Sequence, residues 1–136
     1  MDIEQLRPQL NQALKLVRNR KSWLEGLGIY QNLIHENPTN VGLILTVVDA
    51  IAETVTNDNI EILFKFVDQA VGLRPNDPDI LCYRAFYNKL YRKRRRGLYI
   101  EWYALARNDY QSALALDPNH AKALQGMAKL PDTPME

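Results

Sequence analysis

The side chains of this sequence that could do chemistry fall into two sets. The first is a run of five cations, Arg92, Lys93, Arg94, Arg95 and Arg96, set among Tyr91, Tyr99, Trp102 and Tyr103. Cations clustered in this way can contact phosphates, dock on an acidic protein or approach an anionic lipid surface. The second is a scatter of single groups, Cys82, His35 and His120. A thiol works as a nucleophile only beside a base that takes its proton, and a metal needs histidines and cysteines at ligand spacing. Neither companion lies near in the sequence. His35 and His120 flank prolines and read as surface turn histidines, while Cys82 stands one helical turn from Phe86 and packs or lines a groove. A glycine-rich phosphate loop is absent, since Gly26 and Gly28 fall inside a helical pattern. The reading is of no catalytic residue, no metal site and no cofactor.

The bulk composition narrows the class. A chain of 136 residues, 46% hydrophobic and 24% charged, fits one globular domain with a core of its own. Its formal charge is +1, yet without Arg92–Arg96 there remain 12 cations against 16 anions. A mildly acidic body therefore carries one basic patch. The single cysteine points to a reducing compartment. The opening "MDIEQLRPQL" is unlike a secretory signal. The longest apolar stretch, "VGLILTVVDAIA", is interrupted by Asp49 and falls short of the ~20 residues of a membrane helix. The expectation is a soluble, cytoplasmic protein.

The elements that must position these groups are legible from three prolines. "HENPTN", "LRPNDP" and "LDPNHA" close three segments with one internal spacing. Gly26, Tyr30, Leu33 and Pro38 form the first set, Leu63, Val67, Ala70 and Pro75 the second, and Ala106, Tyr110, Ala113 and Pro118 the third. Steps of four and three place the first three residues of each set on one helical face, and the proline then ends the helix. A propensity-based strand over "VGLILTVV" is rejected, because Ile44, Val47, Val48, Ile51 and Val55 keep helical spacing.

On these residues the chain resembles the tetratricopeptide repeat family, in which antiparallel helix pairs recur every ~34 residues. The small–aromatic–small–proline pattern of the second helix is met closely by "GLGIYQNLIHENP" and "ALARNDYQSALALDP", and more loosely by "ILFKFVDQAVGLRP". First helices are weaker: Leu10, Ala13, Leu14 and Val17; then Ile44, Val47, Val48 and Ile51; then Leu81 and Ala85. Arg84 and Asn88 stand where the family has apolar residues. "HAKALQGMAKL", with Leu124, Met127 and Ala128, looks like a helix capping the last repeat. The resemblance implies an all-α, TPR-like helical-hairpin solenoid of about seven helices. It would form one domain over residues 1–130, with repeats about 7–40, 41–77 and 78–120, a capping helix at 120–130 and a flexible tail at 131–136.

The repeats are unequal, 37 residues separating Pro38 from Pro75 and 43 separating Pro75 from Pro118. The first surplus is assigned to "TVTNDN". The second is assigned to a long third hairpin, capped by Asp77, opened by Pro78 and turning at Gly97, with Arg92–Arg96 at its tip. The aromatic stripe Tyr83, Tyr87 and Tyr91 then fills the added interface between its helices rather than forming a ligand platform, and Trp23 and Trp102 are packing residues.

By the same resemblance the first helices line a concave groove for a partner peptide or helix. Its lining here would be Asn11, Lys15, Leu45, Asp49, Ala52, Asp79, Cys82, Tyr83, Phe86 and Lys89. Packing of these residues on the capping helix, or self-association with a second copy, is an equal alternative. The family's clamp for acidic chaperone tails is not matched, since Thr46, Asp79 and Tyr83 replace its donors. The function implied is a non-catalytic protein–protein interaction module, an adaptor, scaffold or assembly factor, with the basic tip as a second contact. A helix end favours one or two cations but not five. An acidic protein partner ranks first for the tip, a solvated end second, nucleic-acid phosphates third and a membrane surface fourth.

Overall fold

The computed structural model describes residues 2–54, 60–91 and 99–130, and the side chains of these other than 91 and 99–102. The basic run Arg92–Arg96, the surplus assigned to "TVTNDN" apart from its first residue Thr54, and the tail 131–136 lie outside the described residues. Within them the fold is all-α: α1 Ile3–Val17, α2 Trp23–Glu36, α3 Val41–Ala52, α4 Ile60–Leu73, α5 Pro78–Tyr91, α6 Tyr99–Leu116 and α7 Ala121–Lys129, with a short 3-10 turn at Arg20–Ser22. The stretch "VGLILTVV" is helical, as its spacing predicts. Two compact units divide the chain, Met1–Ala70 and Val71–Glu136.

In the first unit α1 starts ahead of the boundary expected near residue 7, because Asp2 and Gln5 form a reciprocal cap. Asp2 Oδ1 accepts the Gln5 N–H and Gln5 Oε1 accepts the Asp2 N–H, each at 3.1 Å. That start brings Leu6 into the buried stripe with Leu10, Ala13 and Val17. α2 folds back on α1 and buries Gly26, Leu27, Tyr30, Leu33 and Ile34. Gly26 makes the close approach possible: a Cβ there would stand 2.6 Å from Val17 Cγ1 and 2.8 Å from the Ala13 carbonyl oxygen and the Val17 nitrogen. α3 packs on both helices. Trp23 Nε1 donates to Thr54 Oγ1 at 2.9 Å, fastening the start of α2 to the end of α3. α4 buries Ile60, Leu63, Phe64, Phe66, Val67 and Ala70, and Gln69 Nε2 donates to the Pro38 carbonyl at 3.1 Å.

In the second unit α5 and α6 form a hairpin and α7 packs on both. α6 has 18 residues where α2 and α4 have 14, an extra turn, whereas α5 as described has 14 where α1 has 15, so the extension expected of both helices of the third pair is seen in α6 alone among the described residues. Of the tyrosine stripe, Tyr87 is buried and Tyr83 half-buried, their rings meeting edge to face at 5.0 Å. The burial of Tyr87 fits the packing reading, whereas Tyr83 is half-buried and the ring contact lies within α5; Tyr91 and Trp102 have side chains outside the described residues.

The repetition read from the prolines reappears as one turn built three times. The N–H of Asn40, Asp77 and His120 donates to the carbonyl of Asn37, Arg74 and Asp117, at 3.2, 3.3 and 3.1 Å. Each time the proline occupies the second turn position, where its fixed φ fits. The same residue then caps the following helix with its side chain: Asn40 Oδ1 takes the Leu43 N–H, Asp77 Oδ1 the Asp79 N–H and His120 Nδ1 the Ala123 N–H. All nine helical residues of the three spacing sets are buried.

Gly26→Ala should destabilise the first unit by about 1–3 kcal/mol, because two of the three clashing atoms are backbone. Urea unfolding reads it, and Gly28→Ala is the control, since nothing lies within 4 Å of a Cβ there.

Candidate functional site

The ten residues of the expected groove divide evenly between the units. In the first, Asn11 and Lys15 on α1 and Asp49 on α3 are exposed, while Leu45 and Ala52 are half-buried. In the second, α5 carries Asp79, Cys82, Tyr83, Phe86 and Lys89. Phe86 stands 51% exposed, its ring edge-on to Tyr87 at 5.5 Å. Cys82 differs from the others: it is 5% exposed, and its sulfur lies 3.8 Å from His120 Nδ1.

His120 corrects the reading of a surface turn histidine. It does stand in the turn before α7, but its ring is only 11% exposed, held between helices by three contacts. Nδ1 accepts the Ala123 N–H at 3.2 Å and meets the Cys82 thiol, and Nε2 lies 2.6 Å from Asp79 Oδ1. A carboxylate only accepts, so Nε2 carries the hydrogen, and Nδ1 presents its lone pair to the backbone donor. The base that the sequence near Cys82 lacks is thus supplied from 38 residues away.

Thiol, imidazole and carboxylate in line are the ingredients of a nucleophilic site. Their electrostatics point elsewhere. Burial, then the Asp79 charge and more weakly Asp109, push the Cys82 thiol up to about 11, with Lys122 opposing. The imidazole lone pair is already engaged by a helix cap. The cluster therefore ties α5 to the first turn of α7. The same surroundings push the Tyr110 hydroxyl up, first through burial and then through Cys82 and Asp109.

The two polar residues that departed from the apolar pattern are also accounted for. Arg84 reaches across to α6 and grips the buried Asp109 with two hydrogen bonds of 2.8 Å. Asn88 is buried and donates to the Arg84 carbonyl at 3.1 Å, while its Oδ1 has no hydrogen-bond partner among the described residues.

The capping helix packs on a different face from the expected one. Ala123 and Leu130 are buried and Met127 is half-buried, but Leu124 is 48% exposed and Ala128 also faces solvent. The cause is Gly126, which lies so close over the Tyr110 ring that a Cβ would overlap it. Cys82 and His120 meet at one level; one turn further along each helix come Phe86 and Leu124, both exposed.

Among the described residues no helix is long and apolar enough to cross a membrane. Neither a protein-family model nor a curated protein matches the chain.

Arg84→Met should cost about 3–5 kcal/mol in urea unfolding by leaving Asp109 buried without its partner, and Arg84→Met/Asp109→Leu should recover most of that loss. A second outcome concerns alkaline pH. The folded thiol keeps its proton up to about 11, whereas the unfolded one loses it near 9. Between those values the folded state binds more protons, so stability falls as pH rises through the window and is complete below it. The stability difference between wild type and Cys82→Ala, followed from neutral to alkaline pH, should shrink across that window.

Proposed function

We propose that this chain is a non-catalytic protein-interaction module of the tetratricopeptide-repeat kind, serving as an adaptor or assembly factor. Its partner would be a peptide or helix received on the face of the second unit where α5 and α7 pack together. The observation that carries this reading is the exposure of Phe86 on α5 and Leu124 on α7, large apolar side chains left about half exposed one turn beyond Cys82 and His120, which touch. Two large apolar side chains exposed on helices that pack together offer a surface that another apolar face can cover. A helical partner would meet such a surface with residues spaced by three and four. The raised thiol of Cys82 and the engaged lone pair of His120 support the non-catalytic part.

The basic run Arg92–Arg96 would add an electrostatic contact with an acidic partner surface. Its charge against an otherwise acidic body also motivates a second reading, a nucleic-acid-associated protein contacting phosphates through these residues.

Affinity capture from the source cell with wild type, Phe86→Glu, Leu124→Glu and a variant with Arg92, Arg94, Arg95 and Arg96 changed to Ser separates the readings. The two Glu variants should lose the same partner while keeping the wild-type circular-dichroism spectrum. A set of captured proteins that no variant alters would overturn the proposal. Nucleic-acid binding that is steep in salt and vanishes in the Ser variant would put the second reading in its place.

A further inference from the structure

The cations of the first unit are gathered at one end of its first hairpin. Of the six lysines and arginines in Met1–Ala70, four, Lys15, Arg18, Arg20 and Lys21, lie within seven residues that contain no anion, while the rest of the unit holds two cations against nine anions. Lys15 stands in the last turn of α1, Arg18 is its C-cap, and Arg20 and Lys21 open the 3-10 turn before α2. The opposite end of the hairpin carries Asp2 and Glu4 at the start of α1 and Glu36 at the end of α2. We propose that the basic end of the α1–α2 hairpin docks on the surface of an anionic lipid bilayer, with its cations over the headgroup phosphates and Leu24 inserted beneath them. The inference goes beyond the adaptor reading and does not depend on it.

Local structure explains only part of this charge. The C-terminus of α1 favours Lys15 and Arg18 through the helix dipole. Arg20 and Lys21 stand instead just ahead of α2, where the dipole is positive and disfavours cations. Both are exposed, and among the described residues neither side chain has a hydrogen bond or ion pair. Arg18 reaches Glu53 at 3.3 Å in an exposed pair that contributes little. Glu25, in the first turn of α2, is the other anion described at this end, and the four cations outnumber the two.

The second observation is apolar. Leu24, the second residue of α2, is 75% exposed, more than any other large apolar side chain among the described residues. One turn further along the same face comes Gly28, which offers no side chain to cover it. Leu24 therefore projects from the end of the hairpin that the cations share. Trp23 beside it is half-buried and tied by Nε1 to Thr54, so the backbone that presents Leu24 is held in place.

Charge and leucine together choose among anionic partners. Nucleic-acid phosphates would engage the cations and leave Leu24 in water. A groove on an acidic protein is matched by cations aligned along one helix face, whereas these four come from a helix end, its cap and the following turn. A lipid surface meets the whole end at once: its headgroups attract each cation, and its acyl boundary takes a projecting leucine. Neither signal is strong alone, and reversible membrane attachment ordinarily combines the two. In the sequence the run Arg92–Arg96 falls between α5 and α6, the same connection of the second unit's hairpin, so the sign of charge recurs there.

The test is sedimentation of the full-length protein with vesicles of phosphatidylcholine alone and of phosphatidylcholine with about 30% phosphatidylglycerol, in about 0.1 M and about 0.5 M salt. Wild type should sediment with the anionic vesicles at the lower salt, leave them at the higher, and ignore the neutral ones. Arg20→Ser/Lys21→Ser should weaken the binding about tenfold or more, and Leu24→Ser about fivefold or more. Both variants should keep the wild-type urea unfolding, since all three side chains are exposed. No binding to anionic vesicles, or binding that either folded variant retains in full, would overturn the proposal. Retention in Leu24→Ser alone would assign the cations to another anion, and anisotropy with polyglutamate and with an RNA oligonucleotide would then tell an acidic chain from phosphates.

Discussion

The chain's helices depend on a backbone constraint applied three times. A helix that ends at a proline leaves its last carbonyls open, and the following helix begins with open N–H groups. The four-residue turn answers both within a few ångströms. The residue two after the proline donates its N–H back to the residue before the proline, and its side chain accepts from the next helix. Both sets of open groups are satisfied at the turn, and Tyr30 and Leu33, Val67 and Ala70, and Tyr110 and Ala113 on the helices before it are all buried. The capping residue varies among Asn, Asp and His because the turn asks only for an acceptor of the right reach. That tolerance is what lets a titratable ring enter a structural position.

The two units are built differently inside. The first is almost wholly apolar, with Leu43, Ile44, Val47, Val48 and Ile51 of α3 fully buried. Its polar fastenings lie at the rim, where Trp23 meets Thr54 and Arg18 meets Glu53 at 3.3 Å. The exposed ion pair adds little, whereas the indole N–H would otherwise be left half-buried without a partner. The second unit carries polar groups through its middle: Asp109 with Arg84, Asn88, and Cys82 with His120. Such groups add less stability than apolar packing of equal volume, but they penalise any arrangement that leaves them unpaired. A helix pair in which Arg84 and Asp109 must meet has one register.

Most of the architecture was legible because it rests on periodicity and proline, both of which act locally. Leu63, Val67 and Ala70 declare a buried face through their spacing alone, and "VGLILTVV" is helical because its apolar residues recur at the helical interval. α1 begins before residue 7, where the repeat pattern starts, because Asp2 and Gln5 cap it there. What stayed hidden depends on residues far apart in sequence. Cys82 and His120 meet only when α5 and α7 lie side by side, and no spacing rule anticipates a contact across 38 residues. Leu124, expected to help the capping helix cover the last repeat, is about half exposed because helical spacing gives the width of a stripe but not its rotation. Gly126 held the missing information, since a glycine in a capping helix marks where a neighbour comes close. Arg84 and Asn88 looked like flaws in a repeat; one is a buried charge pair, and the other keeps an oxygen without a partner among the described residues.

The contact between Gly126 and the Tyr110 ring also constrains how the sequence can drift over generations. The two positions are coupled but not symmetrically. A smaller residue at 110 leaves a gap, which neighbours can partly close, whereas any side chain at 126 collides at once with the ring. Substitutions at this pair are therefore ordered. Tyr110 must shrink first, and only then can a Cβ appear at 126, so one of the two routes between a Gly–Tyr pair and an Ala–Leu pair passes through a clash.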